Sequence, residues 1–143
     1  MRNIAIIGGG ASGIAAAIEA AERGARVSLF EAGKRIGHSV LVSGNGRCNF
    51  SNSQVDAASY WNAAFVAQAF EVLSPVQVRQ WFANLGLLWE EEAQGRLYPV
   101  ANKASSLLDV LRFRLEELGV SIRCEASVAR IAPTSAGWKL KME

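Results

Sequence analysis

Three glycines near the start of the chain have the spacing of a dinucleotide-binding turn. Gly8, Gly10 and Gly13 fit the pattern G-x-G-x-x-G. The first glycine allows a tight turn, the second lets a pyrophosphate approach the backbone, and the third lets a helix lie against the preceding strand. Ala11 and Ser12 would open that helix, and the unpaired N–H groups at its N-terminus suit a phosphate. These five residues are therefore candidates for holding the phosphates of a dinucleotide.

One acidic residue lies at the distance from this turn that a ribose-binding carboxylate requires. Glu31 ends the second strand-like run, Val27-Ser28-Leu29-Phe30. A carboxylate there can accept hydrogen bonds from ribose hydroxyls, and it would repel a 2′-phosphate. The sequence therefore favours FAD or NAD over NADP.

The segments around these residues have the strand, turn, helix and strand order that the motif needs. Residues 3–7 and 26–31 are predicted to be buried parallel strands because they are short, apolar and rich in β-branched side chains. A helix is predicted over residues 12–23, and Gly24 is placed to end it. This context makes an ordinary glycine-rich turn the weaker interpretation.

The rest of the chain contains further predicted elements. Residues 32–58 are predicted to be mostly loop, with a very short strand at 40–42. Ser74 is placed as an N-cap, with Pro75 in the first helical position and Gln77 as its reciprocal partner. The remaining predictions are a helix at 61–73, a helix at 74–85, a hairpin at 87–99 around 93–95, a helix at 103–118, a parallel strand at 120–124, and an antiparallel pair at 128–131 and 138–142.

Composition limits the class of protein. The chain has 143 residues, a net charge of +2 and a hydrophobic fraction of 50%, which suit one domain with a real core. We expect no nucleic-acid partner and no membrane partner. Cys48 and Cys124 are far apart and form no C-x-x-C motif, which predicts a reducing, cytoplasmic location and no dithiol chemistry. No metal-ligand spacing occurs.

Three ordered segments carry a resemblance to a known family. They are Gly8–Gly13, then GHSVLVSGNGRCNFSN at 37–52, then LGLLWEEEAQGRLYPVANKA at 85–104. Together they resemble the BaiN-type, or aminoacetone oxidase-like, family of NAD(P)/FAD-dependent oxidoreductases, whose members carry GGGxAG, GrKxxxSGgGRCNxTN and lGvxxxxExxGrxFPxsxkA. The chain departs from these patterns at Ser39, where the family has lysine, at Asn45 in place of glycine, and at Tyr98 in place of phenylalanine.

The resemblance implies a fold, a cofactor and a site. The fold class would be α/β: a Rossmann-type, parallel-sheet FAD-binding domain of the glutathione-reductase-like flavoprotein type, incomplete at its C-terminus. The ADP half of FAD would lie over Gly8–Gly13 and Glu31, and the segment 43–52 would lie near the flavin ring and the ribityl chain. NAD(P)H is a candidate electron donor. The cofactor-binding set in that second segment would be Ser43, Gly44, Asn45, Gly46, Arg47, Cys48 and Asn49.

The family resemblance also predicts the organisation of the chain. Members are more than twice as long, so residues 1–143 would be the N-terminal portion of an FAD-binding domain. We expect a helical insert at about 60–85 and the start of an antiparallel β-meander at about 126–143.

Several candidate residues have a functional and a structural interpretation. Arg47 would stabilise negative charge on a reduced flavin, hold a substrate carboxylate, or simply bond to loop carbonyls. Cys48 is more consistent with a small buried hydrophobe than with a reactive thiol. His38 is expected at the surface. Core or interface positions are expected for Trp61, Trp81 and Trp89, and a solvated turn for Glu90, Glu91 and Glu92.

The expected function is flavin-dependent oxidoreduction, with hydride passing from a small-molecule substrate or from NAD(P)H through the flavin. The sequence names no proton-transfer residue. Two alternatives stay open: an NAD-binding dehydrogenase module, and a truncated, non-catalytic fragment that binds a dinucleotide.

Overall fold

The computed structural model describes residues 2–143, which form two compact units. The sheet unit contains the chain up to Val40 together with Leu111–Glu143, and the hairpin unit contains Leu41–Val110. Within residues 2–143, no helix has the length and apolar character needed to cross a membrane.

The strands and helices follow the order expected of a strand-first α/β chain. The strands are β1 (Asn3–Ile7), β2 (Arg26–Phe30), β3 (Ser51–Asn52), β4 (Trp89–Glu92), β5 (Arg96–Pro99), β6 (Ser121–Arg123), β7 (Val128–Thr134) and β8 (Gly137–Met142). The α-helices are α1 (Ala11–Glu22), α2 (His38–Val42), α3 (Ala63–Val72), α4 (Pro75–Asn84) and α5 (Ala104–Glu117). Short 3₁₀ turns occupy Ser43–Gly46, Ala57–Ser59 and Ala93–Gly95.

A parallel sheet in the order β1-β2-β6 forms the centre of the sheet unit. Ile4 pairs with Val27, and Leu29 pairs with Ile122, so the apolar runs predicted as parallel strands do pair in that way. Helix α1 packs on β1 and β2. Its core-facing residues Ile14, Ala17 and Ile18 are fully buried, together with Val27 and Leu29 of β2. Burying this apolar stripe is the main reason that a sequence rich in alanine holds its helix in place.

The end of α1 and the β7–β8 pair also match the sequence predictions. Gly24 follows the helix with φ +80°, and its N–H donates to Ala21 O over 2.9 Å. This is the left-handed position that favours glycine after a helix. Strands β7 and β8 are antiparallel, and their turn lies within the predicted segment 134–137.

The hairpin unit is built on an antiparallel sheet in the order β3-β5-β4. The predicted hairpin is present, with the 3₁₀ turn Ala93–Gly95 between β4 and β5. Helix α4 begins with the predicted capping box: Ser74 Oγ accepts from Gln77 N at 3.3 Å, and Gln77 Oε1 accepts from Ser74 N at 2.8 Å. The core of this unit includes Leu87, Leu97, Tyr98, Pro99, Leu107 and Leu108.

Two structural expectations were wrong. Residues 40–42, predicted as a very short strand, belong to helix α2. A short apolar run has no periodicity long enough to separate strand from helix, so tertiary packing decides, and here Val40 is buried on the helix. Trp61, expected in a core or interface, is fully exposed within the described chain. Trp81 and Trp89 are half-buried.

Candidate functional site

The glycine turn, Gly8–Gly13, leaves β1 and enters α1 in a shape that only glycines permit. Gly8 has φ +100°, a value that disfavours any side chain. A Cβ on Gly13 would lie 1.8 Å from the carbonyl oxygen of Gly8, so the helix and the turn are in direct backbone contact. The roles predicted for the first and third glycines are therefore those that the geometry requires.

The N-terminus of α1 is open for a ligand. Gly10 is the N-cap, and within residues 2–143 no side chain caps this helix end. Ala11 and Ser12 are exposed, and the partial positive charge of the helix adds to their free N–H groups. A Cβ on Gly10 would meet Ser39 Oγ at 3.6 Å, an ordinary contact, so packing alone does not require glycine there.

Glu31 connects the glycine turn to the loop that follows β2. Its carboxylate accepts hydrogen bonds from Gly9 N and from Gly33 N, each over 2.6 Å. The carboxylate therefore lies beside the glycine turn, as predicted, and its orientation is set by backbone N–H groups. The negative charge of Glu31 is thereby fixed next to the glycine turn.

Gly9 is a residue that sequence reasoning missed. A Cβ there would lie 2.6 Å from Ile36 Cγ2 and 3.1 Å from Glu31 Cβ. Its carbonyl also accepts a hydrogen bond from Gly37 N over 2.7 Å. The motif leaves this position free, so the only available signal was a fourth glycine where the pattern asks for none.

The segment Ser43–Asn49, called here the RCN loop, has a rare backbone conformation. Gly44, Asn45, Gly46 and Cys48 have φ values of +54°, +55°, +81° and +60°. Asn45, which replaces a family glycine, is therefore in the left-handed region that asparagine tolerates better than most residues. Backbone bonds from Arg47 N to Gly44 O and from Cys48 N to Ser43 O, both 3.1 Å, close the turn.

The loop's two glycines differ in what surrounds them. A Cβ on Gly44 would lie 2.5 Å from Asn49 N, so internal packing excludes a side chain there. A Cβ on Gly46 would meet nothing within 4 Å among the described residues. Packing therefore requires glycine at position 44, whereas at position 46 the positive φ is the reason that favours glycine.

Arg47 is held by its own unit of the structure. Its guanidinium forms a two-pronged ion pair with Glu92, donates through Nε to Asn102 Oδ1, and lies 4.1 Å from the centre of the Tyr98 ring. The bond to Glu92 is the main cause that raises the pKa of Arg47, and the same bond lowers the pKa of Glu92. These contacts favour a structural role for Arg47, but its partners are a carboxylate, an amide and an aromatic ring rather than the expected loop carbonyls. Glu92 was expected in a solvated turn, but it lies in a strand and is the ion-pair partner of Arg47.

The remaining loop residues also have structural contacts. Cys48 is buried, and desolvation raises the pKa of its thiol, which opposes formation of a reactive thiolate. In the amide orientation that satisfies its neighbours, Asn49 Nδ2 donates to the carbonyls of Ser51 at 2.9 Å and Leu97 at 3.2 Å. Asn52 Nδ2 donates to Gln94 O over 2.8 Å. Asn49 thus connects the RCN loop to β5, and Asn52, in β3, is bonded to the turn between β4 and β5.

No alternative chemistry emerges from the other candidates. His38 is exposed, as expected. Among residues 2–143, no group of three or more His, Cys, Asp or Glu side chains could hold a metal ion. Both cysteines are free thiols.

Comparison with known proteins gives one matching family. The HI0933-like protein Rossmann domain matches residues 2–143. A 3-dehydro-bile acid delta(4,6)-reductase of Clostridium scindens is 34% identical over 147 residues, covering 100% of this chain and 36% of that protein. A ribosomal RNA dihydrouridine synthase of Escherichia coli is 33% identical over 144 residues, covering 96% of this chain and 34% of that protein. The chain therefore spans about a third of the length of these relatives.

Solved structures identify the fold. A 3-ketosteroid-delta4-(5alpha)-dehydrogenase of Rhodococcus jostii superposes with a TM-score of 0.70 at 16% identity, covering 98% of this chain and 42% of that one. A flavocytochrome c3 fumarate reductase superposes with a TM-score of 0.64 at 17% identity, covering 97% of this chain and 31% of that one. The fold is thus a Rossmann-like fold with a parallel sheet, which this chain shares with both of these proteins.

Proposed function

Because this chain belongs to the HI0933-like Rossmann-domain family, we propose that it binds FAD and contributes the cofactor-binding part of a flavin-dependent oxidoreductase. The resemblance drawn from its three sequence segments is confirmed at the level of the family. The substrate, the electron donor and the cofactor contacts of this chain are parts of the proposal.

One observation carries the assignment of the phosphate site. The Gly13 backbone touches Gly8, whereas a Cβ on Gly10 would make only an ordinary contact with Ser39, and no side chain caps α1 within residues 2–143. Packing explains why Gly13 lacks a side chain but does not require glycine at position 10, and this difference supports a ligand at Gly10. The proposed ligand is the pyrophosphate of FAD, with Glu31 accepting hydrogen bonds from the adenosine ribose.

The proposed role of the RCN loop is to meet the flavin end of the same cofactor. When bound, FAD accepts a hydride from a reduced donor and passes two electrons to an acceptor. A Cβ on Gly46 would meet no described atom within 4 Å, and Asn45 shares the left-handed conformation of Gly46, so this part of the loop has room for a ligand. Arg47, already paired with Glu92, contributes to the shape of the loop rather than to charge on the ring.

The proposed reaction is hydride transfer from a small-molecule substrate or from NAD(P)H through the flavin. The names of the bile-acid and ribosomal RNA relatives both describe changes at a carbon–carbon double bond conjugated to a carbonyl. We therefore extend the proposal to a substrate of that chemical class, with NAD(P)H as the donor. The unpaired thiols of Cys48 and Cys124 support a reducing, cytoplasmic location.

A base in RNA is the second candidate substrate, since a relative that is 33% identical has the name of a ribosomal RNA dihydrouridine synthase. The near-neutral net charge of +2 favours the small molecule instead. Fluorescence anisotropy of a labelled ribosomal RNA fragment would separate the two. The small-molecule proposal expects no saturable RNA binding at physiological salt.

The decisive experiment is a binding titration of the purified chain with FAD, followed by flavin absorbance and fluorescence. NADH, NADPH and ADP-ribose are titrated separately, and the Gly10→Val variant is the control. Saturable FAD binding that this variant loses would support the proposal. Binding of NADH without FAD would favour an NAD-dependent dehydrogenase module, and binding of no dinucleotide would overturn the proposed cofactor site.

A further inference from the structure

The RCN loop needs support from outside its own backbone. Four of its seven residues are left-handed, and two of these, Asn45 and Cys48, are not glycine. Such residues persist only where the surrounding structure holds them. The backbone bonds that end at Gly44 O and Ser43 O close the turn, but they connect the loop only to itself.

Arg47 connects the loop to the β4–β5 hairpin. Nη1 and Nη2 donate to the two carboxylate oxygens of Glu92, the last residue of β4. Nε donates to Asn102 Oδ1, and Tyr98 of β5 lies under the guanidinium plane. A planar guanidinium that is held at its edge and at its face cannot rotate without losing several contacts.

Glu92 supplies the charged part of this connection. The side chains of Arg47 and Glu92 are only 32% and 33% exposed, and the pair has the two-pronged geometry in which ion pairs contribute most. Glu90, on the same strand, is exposed and raises the pKa of Arg47 only through space. Glu92 therefore has an ion-pair partner, whereas Glu90 on the same strand has none within residues 2–143, so Glu90 is a matched control.

We infer that Glu92 is a positioning residue, which fixes the RCN loop through Arg47 in the conformation that receives the flavin end of FAD. This inference rests on the proposed function. It assigns to Arg47 and Glu92 together a role in cofactor affinity without contact between Glu92 and the cofactor.

The test compares two ligands on the Glu92→Gln variant of the full chain. FAD needs both the glycine turn and the RCN loop, whereas ADP-ribose needs the glycine turn alone. We expect Glu92→Gln to raise the Kd for FAD by about tenfold and to leave the Kd for ADP-ribose within about twofold of wild type. Glu90→Gln should change neither Kd, and Glu92→Asp, which keeps the charge, should recover part of the FAD affinity.

Amide hydrogen exchange measures the loop without any ligand. We expect the amides of Arg47 and Cys48 to exchange at least about tenfold faster in Glu92→Gln than in Glu90→Gln. An unchanged Kd for FAD in Glu92→Gln, or an equal rise for both ligands, would overturn the inference, because general destabilisation affects both ligands alike. If wild type binds ADP-ribose but not FAD, the proposed function fails. The exchange rates then test the connection through Arg47 and Glu92 alone, and unchanged rates would show that this connection does not hold the RCN loop.

Discussion

Replacing Gly13 with alanine tests the backbone contact on which the glycine turn depends. In an ordinary helix interior, exchanging glycine for alanine adds about 1 kcal/mol of stability. Here the new Cβ would lie 1.8 Å from Gly8 O, whereas real Cβ contacts essentially never fall below 3.0 Å. The helix or the turn must therefore move by about 1.2 Å, and both partners are backbone, so no rotamer change can relieve the clash.

The expected magnitude follows from these opposing effects. Overpacking in a rigid contact costs about 1–3 kcal/mol, and a backbone partner places this case at the upper end. After the helix-propensity gain, we expect a net loss of about 2 kcal/mol and a Tm lower by about 4–8 °C. Thermal and urea unfolding followed by circular dichroism measure both quantities.

A control in the same helix separates the effect of helix propensity on stability from the effect of the backbone contact. Ala15 is exposed on α1, so Ala15→Gly should cost about 1 kcal/mol through propensity alone. If Gly13→Ala raised the Tm by as much as Ala15→Gly lowers it, the contact would have no energetic weight. The packing argument for the third glycine of the turn would then be refuted.

The remaining predictions concern the ligand and the pH. Gly10→Val should abolish dinucleotide binding by filling the phosphate space, while its Tm stays near that of wild type. If the variant binds with wild-type affinity, Gly10 is not part of the phosphate site. Glu31→Ala should weaken FAD binding by about 1–2 kcal/mol, the scale of a charge-assisted hydrogen bond, as measured by titration. An unchanged affinity would exclude Glu31 from the ribose site. Because Arg47 lowers the pKa of Glu92, their pair stabilises the fold above the ordinary carboxyl pKa and is lost as the pH falls through the lowered value. The Tm of wild type should therefore fall more steeply than that of Glu92→Gln below about pH 4. Parallel curves of Tm against pH would contradict the ion pair between Arg47 and Glu92.

Local signals predicted the local structure well. Ser74 and Gln77 are three residues apart, and the capping box that they form needs nothing beyond that spacing. Gly24 ends α1 because a left-handed residue is needed at that point of the chain. The contact between Gly13 and Gly8 belongs to the same class, because the two residues are only five positions apart.

Contacts between distant residues were not predictable in the same way. Arg47 and Glu92 are 45 positions apart, and nothing in either local sequence specifies that they meet. The short run at 40–42 became a helix because packing, not periodicity, decides so few residues. The exposure of Trp61, which precedes α3, was not predictable either, because a large apolar side chain does not by itself specify a core or interface position.

The bonds that Glu31 makes to Gly9 N and Gly33 N have a consequence for protein engineering. Changing cofactor preference in Rossmann proteins usually begins with replacing this acid by a neutral or basic residue, to admit a 2′-phosphate. In this chain that replacement would also remove the acceptor for two backbone donors, one of them in a turn where Gly9 has no space to rearrange. A successful redesign therefore needs a second change that supplies a new acceptor for those donors, so selectivity and turn geometry must be altered in the same step.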